Sequence, residues 1–344
     1  MGTSLSDIIK AENISLEELA SKRIAIDAYN TLYQFLSSIR QPDGTPLKDK
    51  KGRVTSHLSG LFYRSLNLLE KGIFPIYVFD GTPPTLKSEE IERRKEIRES
   101  AREEWKKAKE EGRIEDARKA AQASSRLTSD MVEESKNLVT SLGIPAIQAP
   151  SEGEALAAQM TRSGDVWASA SQDYDSLLYG CPQTVRNLSI SGRRRISRTK
   201  SYKTISPEVI DLELNLRLLE ITREELVDIA ILVGTDYNDR VPGVGPKTAL
   251  KLIKKHGSID IIDAEGIKEI DFPYEEIRNI FLNPPKTDYD EPKWTEPDYE
   301  RIKEILCTRH DFSENRVNSS LERLKEAQQE LLDAASQSSL TDFF

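Results

Sequence analysis

The sequence predicts an α/β fold with a mostly parallel sheet, and two observations carry this prediction. The first is a set of short apolar runs typical of buried strands, RIAI, FPIYVF, IPAIQA and DVWASAS, at residues 23–26, 74–79, 144–149 and 165–171. The second is the helical periodicity of the segments between them, such as 56–72, which ends on Gly72. Alternating strands and helices form parallel sheets covered by helices, and such sheets bind ligands at the carboxyl ends of their strands.

Length and composition limit the class of protein. The chain has 344 residues, of which 37% are hydrophobic and 31% are charged, so we expect one large core with a smaller module attached. Cys181 and Cys307 are far apart and in no metal-ligand spacing, as expected of free thiols in a reducing compartment. No apolar run approaches the roughly 18–20 residues that span a bilayer, and no secretory signal is evident. We expect a soluble intracellular protein.

Two later segments are strongly charged. Residues 87–119 contain 12 basic and 11 acidic residues with few apolar ones, which predicts a solvated helix that protrudes from the body. Residues 191–203 carry basic side chains at six positions and predict a basic loop or hairpin. Solvation alone also explains both segments. Further along, residues 222–238 have an acidic start and an apolar continuation, which predicts a helix, and residues 271–344 predict polar helices with proline-rich connections.

Acidic residues follow the predicted strands and one apolar helix. The set consists of Asp27, Asp80, Glu152, Glu154, Asp173, Asp175 and Asp236. A single Asp after a strand usually caps a helix or a turn. Seven converging carboxylates, however, would repel one another, and the apolar segments show no matching set of buried Lys or Arg. Hard oxygen ligands without His or Cys favour Mg²⁺ or Mn²⁺, and carboxylates that hold two such ions are a standard site for phosphodiester hydrolysis.

The net charge bears on nucleic-acid binding. The formal value is −9, which by itself argues against a DNA-binding protein. If the seven acids serve metal ions, the remaining charge is −2, and a nearly neutral surface with local basic patches can bind DNA.

The start of the helix after the third predicted strand has two interpretations. Ser151 and Glu154 form an S-x-x-E capping box, and Glu152 lies between them. A Glu154 side chain folded back onto Ser151 cannot also face a metal. We expect Glu154 to face the metal and Ser151 to cap the helix alone.

The segment GVGPKTALKLI at 243–253 predicts a helix–hairpin–helix element. Gly243 and Gly245 let the backbone approach a phosphate closely, the next helix offers free N–H groups, and Lys247 adds a positive charge. The alternative is an ordinary glycine-rich turn between helices. A phosphate-binding hairpin would hold the DNA backbone without reading bases.

The chain ends in SQSSLTDFF, with Gln337, Leu340, Phe343 and Phe344 spaced to share one side of a helical turn. Exposed phenylalanines at a polar terminus are unfavourable unless they bind something. We expect the tail to fit a small groove on a partner, the alternative being that it docks on its own body.

Together these motifs resemble one known family. IDAYNTLYQFL, VFDGTPP, APSEGEA, SQDYDSLLYG, VGTDYN and GVGPKTAL occur in the order found in the flap endonucleases of archaea and eukaryotes, in the XPG/Rad2-like superfamily. The resemblance covers essentially the whole chain. It implies a PIN-like 5′-nuclease fold, a twisted, mostly parallel sheet with helices on both faces, a helical arch and a helix–hairpin–helix module. It also implies that the seven acids bind two Mg²⁺ ions, with Mn²⁺ as a substitute.

The resemblance assigns roles to further residues. Lys87 and Arg94, at the base of the arch, match the basic residues that assist the scissile phosphate, and Tyr33 matches an aromatic residue that stacks near the cut. It implies DNA contacts from Gly2, exposed once Met1 is removed, and from Thr55, in the segment that holds a 3′ flap. Arg40 and Arg64 are weaker DNA-contact assignments. The hairpin Gly243–Lys247 would grip duplex DNA and hold K⁺, and the tail would bind the sliding clamp PCNA.

The implied function is structure-specific 5′-flap endonuclease activity, with 5′–3′ exonuclease activity, in Okazaki-fragment maturation and base-excision repair. The alternatives are a related 5′-exonuclease, a junction- or bubble-cutting nuclease, and a non-catalytic, clamp-tethered DNA scaffold. We expect a monomer without membrane contact, cytoplasmic and associated with the nucleoid, or nuclear if the source is eukaryotic. The predicted divisions are nuclease core, arch, nuclease core, hairpin region with C-terminal helices, and tail, at 1–86, 87–130, 131–220, 221–330 and 331–344.

Overall fold

A twisted sheet forms the centre of the molecule. The computed structural model describes residues 3–188, 192–195 and 202–341, with side chains except at 192–195, 202–204 and 330–341. The strands are β1 (Glu12–Asn13), β2 (Arg23–Asp27), β3 (Phe74–Phe79), β4 (Ala146–Gln148), β5 (Ala168–Ala170), β6 (Gln183–Arg186), β7 (Gly192–Arg195), β8 (Tyr202–Ile205) and β9 (Glu208–Asp211). Within the described ranges, seven of them form one sheet in the order β1-β9-β6-β5-β2-β3-β4, while β7 and β8 pair separately.

The middle of the sheet is parallel, as predicted. β2 pairs in parallel with β3 on one side and β5 on the other, β3 pairs with β4, and β5 pairs with β6. β9 and β1 extend the sheet in antiparallel pairing. The strands expected at 23–26 and 74–79 are confirmed, and those expected at 144–149 and 165–171 are shorter than predicted.

Helices surround the sheet. They are α1 (Ala28–Ser38), α2 (Ser56–Glu70), α3 (Ser88–Glu110), α4 (Ile114–Ala123), α5 (Ser129–Ser141), α6 (Gly153–Ser163), α7 (Asp175–Leu178), α8 (Leu212–Leu219), α9 (Arg223–Val233), α10 (Pro246–His256), α11 (Ile259–Ala264), α12 (Tyr274–Leu282), α13 (Tyr299–Lys303) and α14 (Glu314–Thr341). A 3₁₀ turn at Thr85–Lys87 leads into α3, and a π-helical segment at Glu304–Arg309 follows α13.

Alternation along the strands places helices on both faces. Ile24 and Ile26 are buried in a cluster with side chains of α1, α2 and α5, whereas Ala25 between them is buried in a second cluster with α6. Successive side chains of a strand point to opposite faces, so a strand that is apolar throughout must be covered on both. A third cluster unites α9, α10, α11 and α12.

The charged segment forms two helices that pack on each other. α3 exposes most of its side chains and buries Ala108, and α4 runs back along it after a turn at Gly112, which has a φ of +70°. Between them lies a groove of about 830 Å³ lined by side chains of both helices, among them Ile97, Ala101, Arg113 and Lys119. Ile97 is 54% exposed. The predicted protruding helix is therefore a helical pair with an open groove.

The predicted basic hairpin is present as β7 and β8, which pair antiparallel. A long segment between α12 and α13, residues 283–298, passes along the body without regular secondary structure. In the portion of the chain that the structure describes, no helix is long and apolar enough to cross a membrane.

Candidate active site

The acidic residues come from elements that end at one edge of the sheet. Asp27 is the last residue of β2, and Asp80 directly follows β3. The remaining acids lie at the start of α6, in the turn after β5 that leads into α7, and after α9; they are Glu152, Glu154, Asp173, Asp175 and Asp236. Because β2, β3, β4 and β5 are parallel, the connections that follow them meet at the same edge.

Backbone and amide donors orient the carboxylates of the two central strands. Asp27 Oδ1 accepts a hydrogen bond from Asn30 N–H at 3.0 Å, so this residue caps α1. Asp80 Oδ1 accepts from Gly153 N–H at 2.7 Å, across 73 residues of sequence. A Cβ at Gly153 would lie 2.7 Å from that oxygen and would displace the Asp80 carboxylate, so glycine permits the close approach of the helix start to Asp80.

The turn after β5 is held in a similar way. Asp173 Oδ2 accepts from Asn30 Nδ2 at 2.9 Å, and Asp175 Oδ1 accepts from Thr3 N–H at 3.0 Å. Asn30 therefore bonds to two acids, one through its backbone and one through its side chain. Its position three residues after Asp27 is the signal that could have revealed it, because that is where a helix cap finds its donor.

Burial and mutual repulsion act on the cluster's protonation. Burial, followed by the charge of Asp80, raises the pKa of Asp27 well above its usual value. Burial and Glu152 raise the pKa of Asp80 to about 6, and burial and Asp236 raise that of Asp175 to about 7. The pKa of Glu154 is raised well above its usual value, first by burial and then by Asp175. Carboxylates that affect one another in this way share a single region.

Two cations from the base of α3 reach into the cluster. Lys87 Nζ lies 2.7 Å from Glu152 Oε2 and 3.2 Å from Asp236 Oδ2. Arg94 donates to Asp236 Oδ1 at 2.5 Å and to Glu90 Oε1 at 2.7 Å. Burial lowers the pKa of Lys87, but Glu152 and Asp236 outweigh burial and hold it above its usual value.

The donor set fits hard divalent cations by its chemistry. It consists of carboxylates, and burial together with their mutual repulsion raises the pKa of four of them. Among the described residues, however, no three His, Cys, Asp or Glu side chains stand close enough to hold an ion as they are placed. Lys87 and Arg94 instead pair with Glu152 and Asp236. Metal binding would therefore require the carboxylates to draw together and these cations to give up their present partners.

The expected cap at the start of α6 was wrong. The helix begins at Gly153 with Glu152 as its N-cap, and no side chain makes a capping hydrogen bond there. Ser151 therefore does not cap this helix. Glu154 Oε1 accepts from Ser176 Oγ at 3.3 Å, so its side chain turns toward the turn after β5. Glu154 thus faces the acidic residues rather than Ser151, as expected, although their charges oppose its ionisation.

The predicted DNA-contact residues on and beside α1 and α2 differ in their burial and hydrogen bonds. Tyr33 lies partly exposed on α1, one helical turn from Asn30. The guanidinium of Arg40 donates to Leu36 O, Gly44 O and Ser125 Oγ, each at 2.8 Å. These internal hydrogen bonds favour a structural role for Arg40. Thr55 is buried at the start of α2, and burial lowers the pKa of Arg64 on the same helix.

The predicted hairpin has the expected local geometry. Gly243 has a φ of +73°, in the left-handed region, and Gly245 is the N-cap of α10, with Pro246 in its first turn. Lys247 is exposed in that first turn. No side chain caps α10, so its first N–H groups have no side-chain acceptor there.

Some predicted residues fall outside the description. Gly2, Phe343 and Phe344 lie outside the described residues. Gln337 and Leu340 fall within the backbone of α14, in the stretch whose side chains are not described.

The comparisons with known proteins agree with this geometry. The XPG N-terminal domain model matches residues 1–101, and the XPG I-region model matches residues 143–236. The chain is 52% identical to Flap endonuclease 1 of Ignicoccus hospitalis, over 99% of this chain and 98% of that protein. It is also 52% identical to Flap endonuclease 1 of Pyrococcus furiosus, over 100% of this chain and 99% of that one. The chain belongs to the flap endonuclease family.

Solved structures of flap endonucleases and their relatives share the fold. A flap endonuclease-1 from Methanococcus jannaschii superposes with a TM-score of 0.72 at 41% identity, covering 95% of this chain and 98% of that one. The catalytic core of Rad2, in complex with a DNA substrate, superposes with a TM-score of 0.71 at 25% identity, covering 94% and 100%. Flap endonucleases are metal-dependent nucleases, in agreement with the carboxylate cluster.

Proposed function

We propose that the protein is a structure-specific 5′-flap endonuclease with 5′–3′ exonuclease activity, acting in Okazaki-fragment maturation and base-excision repair. The observation that carries the proposal is that seven carboxylates lie at one edge of the sheet and that two of them, Glu152 and Asp236, pair with Lys87 and Arg94 of the arch base. A scaffold protein would have no use for buried like charges that destabilise it. The family membership supports the same activity.

Two Mg²⁺ ions, or Mn²⁺ in their place, would be held by Asp27, Asp80, Glu152, Glu154, Asp173, Asp175 and Asp236. When bound, such ions activate the attacking water and neutralise charge on the leaving oxygen. Asn30, Gly153 and Thr3 would keep the carboxylates oriented, as their hydrogen bonds to Asp173, Asp80 and Asp175 suggest.

Lys87 and Arg94 would exchange carboxylates for phosphate. Both now neutralise Asp236, and both lie at the start of the arch, Lys87 just before α3 and Arg94 in its second turn. When the carboxylates have other cations, these two side chains are free to donate to the scissile phosphate and to stabilise its developing charge. Water oxygen then joins phosphorus as the bond from phosphorus to the 3′ oxygen breaks. The flap leaves with a 3′-hydroxyl, and the trimmed strand keeps a 5′-phosphate.

The flap would pass under the arch that α3 and α4 form, as the family resemblance implies. The groove between these helices is not its path, because Glu96, Glu104 and Asp116 line it beside Arg113 and Lys119, and Arg113 already pairs with two of these acids. Tyr33 would stack near the cut. The hairpin Gly243–Lys247 would hold duplex DNA by its backbone through N–H groups, with a K⁺ ion, and would be insensitive to sequence.

The protein would act as a monomer tethered to PCNA through Gln337, Leu340, Phe343 and Phe344. Its location would follow its substrate: the nucleoid-containing cytoplasm of an archaeon, or the nucleus of a eukaryote. Gly2, Thr55 and Arg64 are proposed to contact DNA on the grounds of family resemblance, and Arg40 is retained with less support because its guanidinium is bonded internally.

Cleavage of labelled 5′-flap, nicked, bubble and four-way junction DNA tests the proposal. Wild-type protein with Mg²⁺ should cut the flap substrate best, and chelator should stop the reaction. Asp236→Ala should abolish cleavage while flap binding persists. Asp239→Ala is the matched control. Asp239 lies three residues after Asp236, is exposed, and pairs with Arg93 of α3, next to the Arg94 that pairs with Asp236. Full turnover by Asp236→Ala would contradict the metal assignment, and preferred cutting of junctions would favour the alternative nuclease class.

The role of the arch base is tested separately. Lys87→Met should lower the single-turnover rate about 100- to 1,000-fold, as loss of a transition-state donor does. Lys95→Met provides the control, since Lys95 is an exposed lysine of α3 that pairs with Glu92. Equal rates for the two variants would rule out a role for Lys87 at the phosphate.

A further inference from the structure

The turn that carries two of the seven acids is short and irregular. Asp173 and Asp175 lie between the end of β5 at Ala170 and α7, a helix of four residues that starts at Asp175 itself. Such a turn has little regular hydrogen bonding of its own. The position of both carboxylates therefore depends on what holds the turn from outside.

Arg186, at the end of β6, contacts this turn at two points. Its Nη1 donates to Tyr174 Oη at 2.7 Å, and its Nε donates to Gln172 O at 3.2 Å. Its guanidinium carbon also lies 4.6 Å from the centre of the Tyr174 ring. Tyr174 stands between the two acids in the sequence and is 6% exposed.

The sheet fixes Arg186 in turn. Ala170 pairs with Val185, and Ser171 N–H continues the ladder to Val185 O at 3.2 Å, so Arg186 is level with the first residues of the turn. Across the next strand pair, Arg186 faces Glu208 of β9, with Nη1 3.9 Å from Oε2. Because Glu208 and Tyr174 already restrict the Arg186 guanidinium, its side chain loses little further conformational freedom when it bonds to the turn.

The hydrogen bonds that hold this turn are of two kinds. Asn30 and Thr3 bond directly to the carboxylates of Asp173 and Asp175, whereas Arg186 bonds to the residues on either side of Asp173. A residue in this position influences metal ligands without touching the reacting atoms. Groups that orient metal ligands from behind typically change metal affinity or activity when they are removed.

We propose that Arg186 is a positioning residue of the nuclease site, which locks the turn of residues 171–175 from the sheet so that Asp173 and Asp175 are presented together to the metal ions. Tyr174 transmits the restraint, and Glu208 orients the guanidinium. This inference rests on the proposed function, because it concerns the same carboxylates.

The test compares Arg186→Met, Arg186→Lys and Tyr174→Phe with wild type. Arg186→Met should lower kcat on flap DNA about 10- to 100-fold and shift the Mg²⁺ midpoint to higher concentration. The same shift should appear without DNA, as a higher Mg²⁺ concentration for half of the metal-induced rise in Tm. Binding of flap DNA in chelator should be unchanged. Arg186→Lys should restore part of the loss, since it keeps the charge but not the two-point contact.

Arg217→Met is the matched control, because Arg217 is an exposed arginine that faces Glu213 at 3.9 Å on α8. If Tyr174 transmits the restraint, Arg186→Met should cost less in a Tyr174→Phe background than in wild type. An unchanged Mg²⁺ midpoint in Arg186→Met, or a lower Tm without any midpoint shift, would overturn the proposal. Failure of the wild type to cut flap DNA would instead overturn the proposed function, so the two failures are distinct.

Discussion

At the scale of single residues, the site contains buried carboxylates whose ionisation is unfavourable in the folded protein. Asp27 and Asp175 are 7% and 6% exposed, yet both accept backbone hydrogen bonds that favour the ionised form. Burial and neighbouring carboxylates outweigh those bonds and raise both pKa values. The protein thus keeps acids where they weaken the metal-free fold, as expected of groups retained to bind cations.

Asp175→Asn should show this cost directly. The pKa of Asp175 is raised to about 7 in the folded protein and lies near 4 in the unfolded chain. Its protonation therefore stabilises the fold fully below about pH 4, and this contribution to the free energy of unfolding is lost as the pH rises through about 7. In chelator at pH 8, Asp175→Asn should therefore have a higher Tm than wild type. Its amide oxygen can still accept from Thr3 N–H.

The same variant should gain less Tm from Mg²⁺. Asp211→Asn serves as its control, since it removes one charge at the N-cap of α8, where Asn caps as well as Asp. A Tm for Asp175→Asn below that of wild type in chelator at pH 8 would show that the carboxylate is not under strain.

At the scale of elements, the segment at residues 283–298 connects the hairpin region to the C-terminal helices. It is fastened along its length: Thr287 exchanges two hydrogen bonds with Gln159, Trp294 Nε1 donates to Pro75 O at 2.9 Å, and Thr295 N–H donates to Gly143 O at 3.0 Å. Trp294 also meets the ring of Phe74 edge to face. Side chains and backbone bonds replace regular secondary structure there, so the segment acts as a fixed strap.

Gly143→Ala should detach this strap. Gly143 has a φ of +73°, and a Cβ there would lie 1.9 Å from Thr295 O, so strain and overlap together should cost about 3 kcal/mol or more. Gly164→Ala is the control, because Gly164 has a φ of +81° with nothing near its Cβ, and strain alone should cost about 1–2 kcal/mol. Urea unfolding measures both. Equal losses of unfolding free energy in the two variants would mean that the segment at 283–298 moves away from the added Cβ without destabilising the protein.

At the scale of the whole molecule, an acidic protein is organised to bind an anion. The net charge is −9, and part of the negative charge is concentrated at the sheet edge, while basic residues are concentrated in β7 and β8 and alternate with acidic ones along α3 and α4. Local potential rather than the sum directs DNA to a surface. Lys87 and Arg94, at the base of α3, connect this helical pair to the sheet edge, because they contact Glu152 and Asp236 directly.

Removal of the tail tests the division of labour between body and terminus. Truncation before Gln337 should leave basal flap cleavage unchanged and abolish stimulation by PCNA, because the acids and the arch lie elsewhere in the chain. A full-length chain with Ser339→Ala is the control for changes within this segment. Undiminished stimulation of the truncated protein would contradict the tail assignment.

Much of the fold followed from local pattern. β2 and β3 were predicted at their observed positions because each contains a continuous apolar run, and α2 because its apolar residues recur with helical spacing. β6 and β9 were not predicted, since QTVR and EVID mix polar and apolar residues and one of them lies near the sheet edge. The predicted Ser151 cap was wrong because the helix starts one residue later than the pattern indicates, with Glu152 at the N-cap.

The sequence alone determined which chemical groups were available: seven carboxylates after apolar runs, two cations on a charged helix, and a glycine hairpin before a helix. Tertiary structure decided which of them meet. Lys87 reaches Glu152 across 65 residues, Asn30 reaches Asp173 across 143, and Thr3 reaches Asp175 across 172. Periodicity and capping depend on neighbours within a few positions of the chain, whereas such contacts depend on the order and direction in which strands pack.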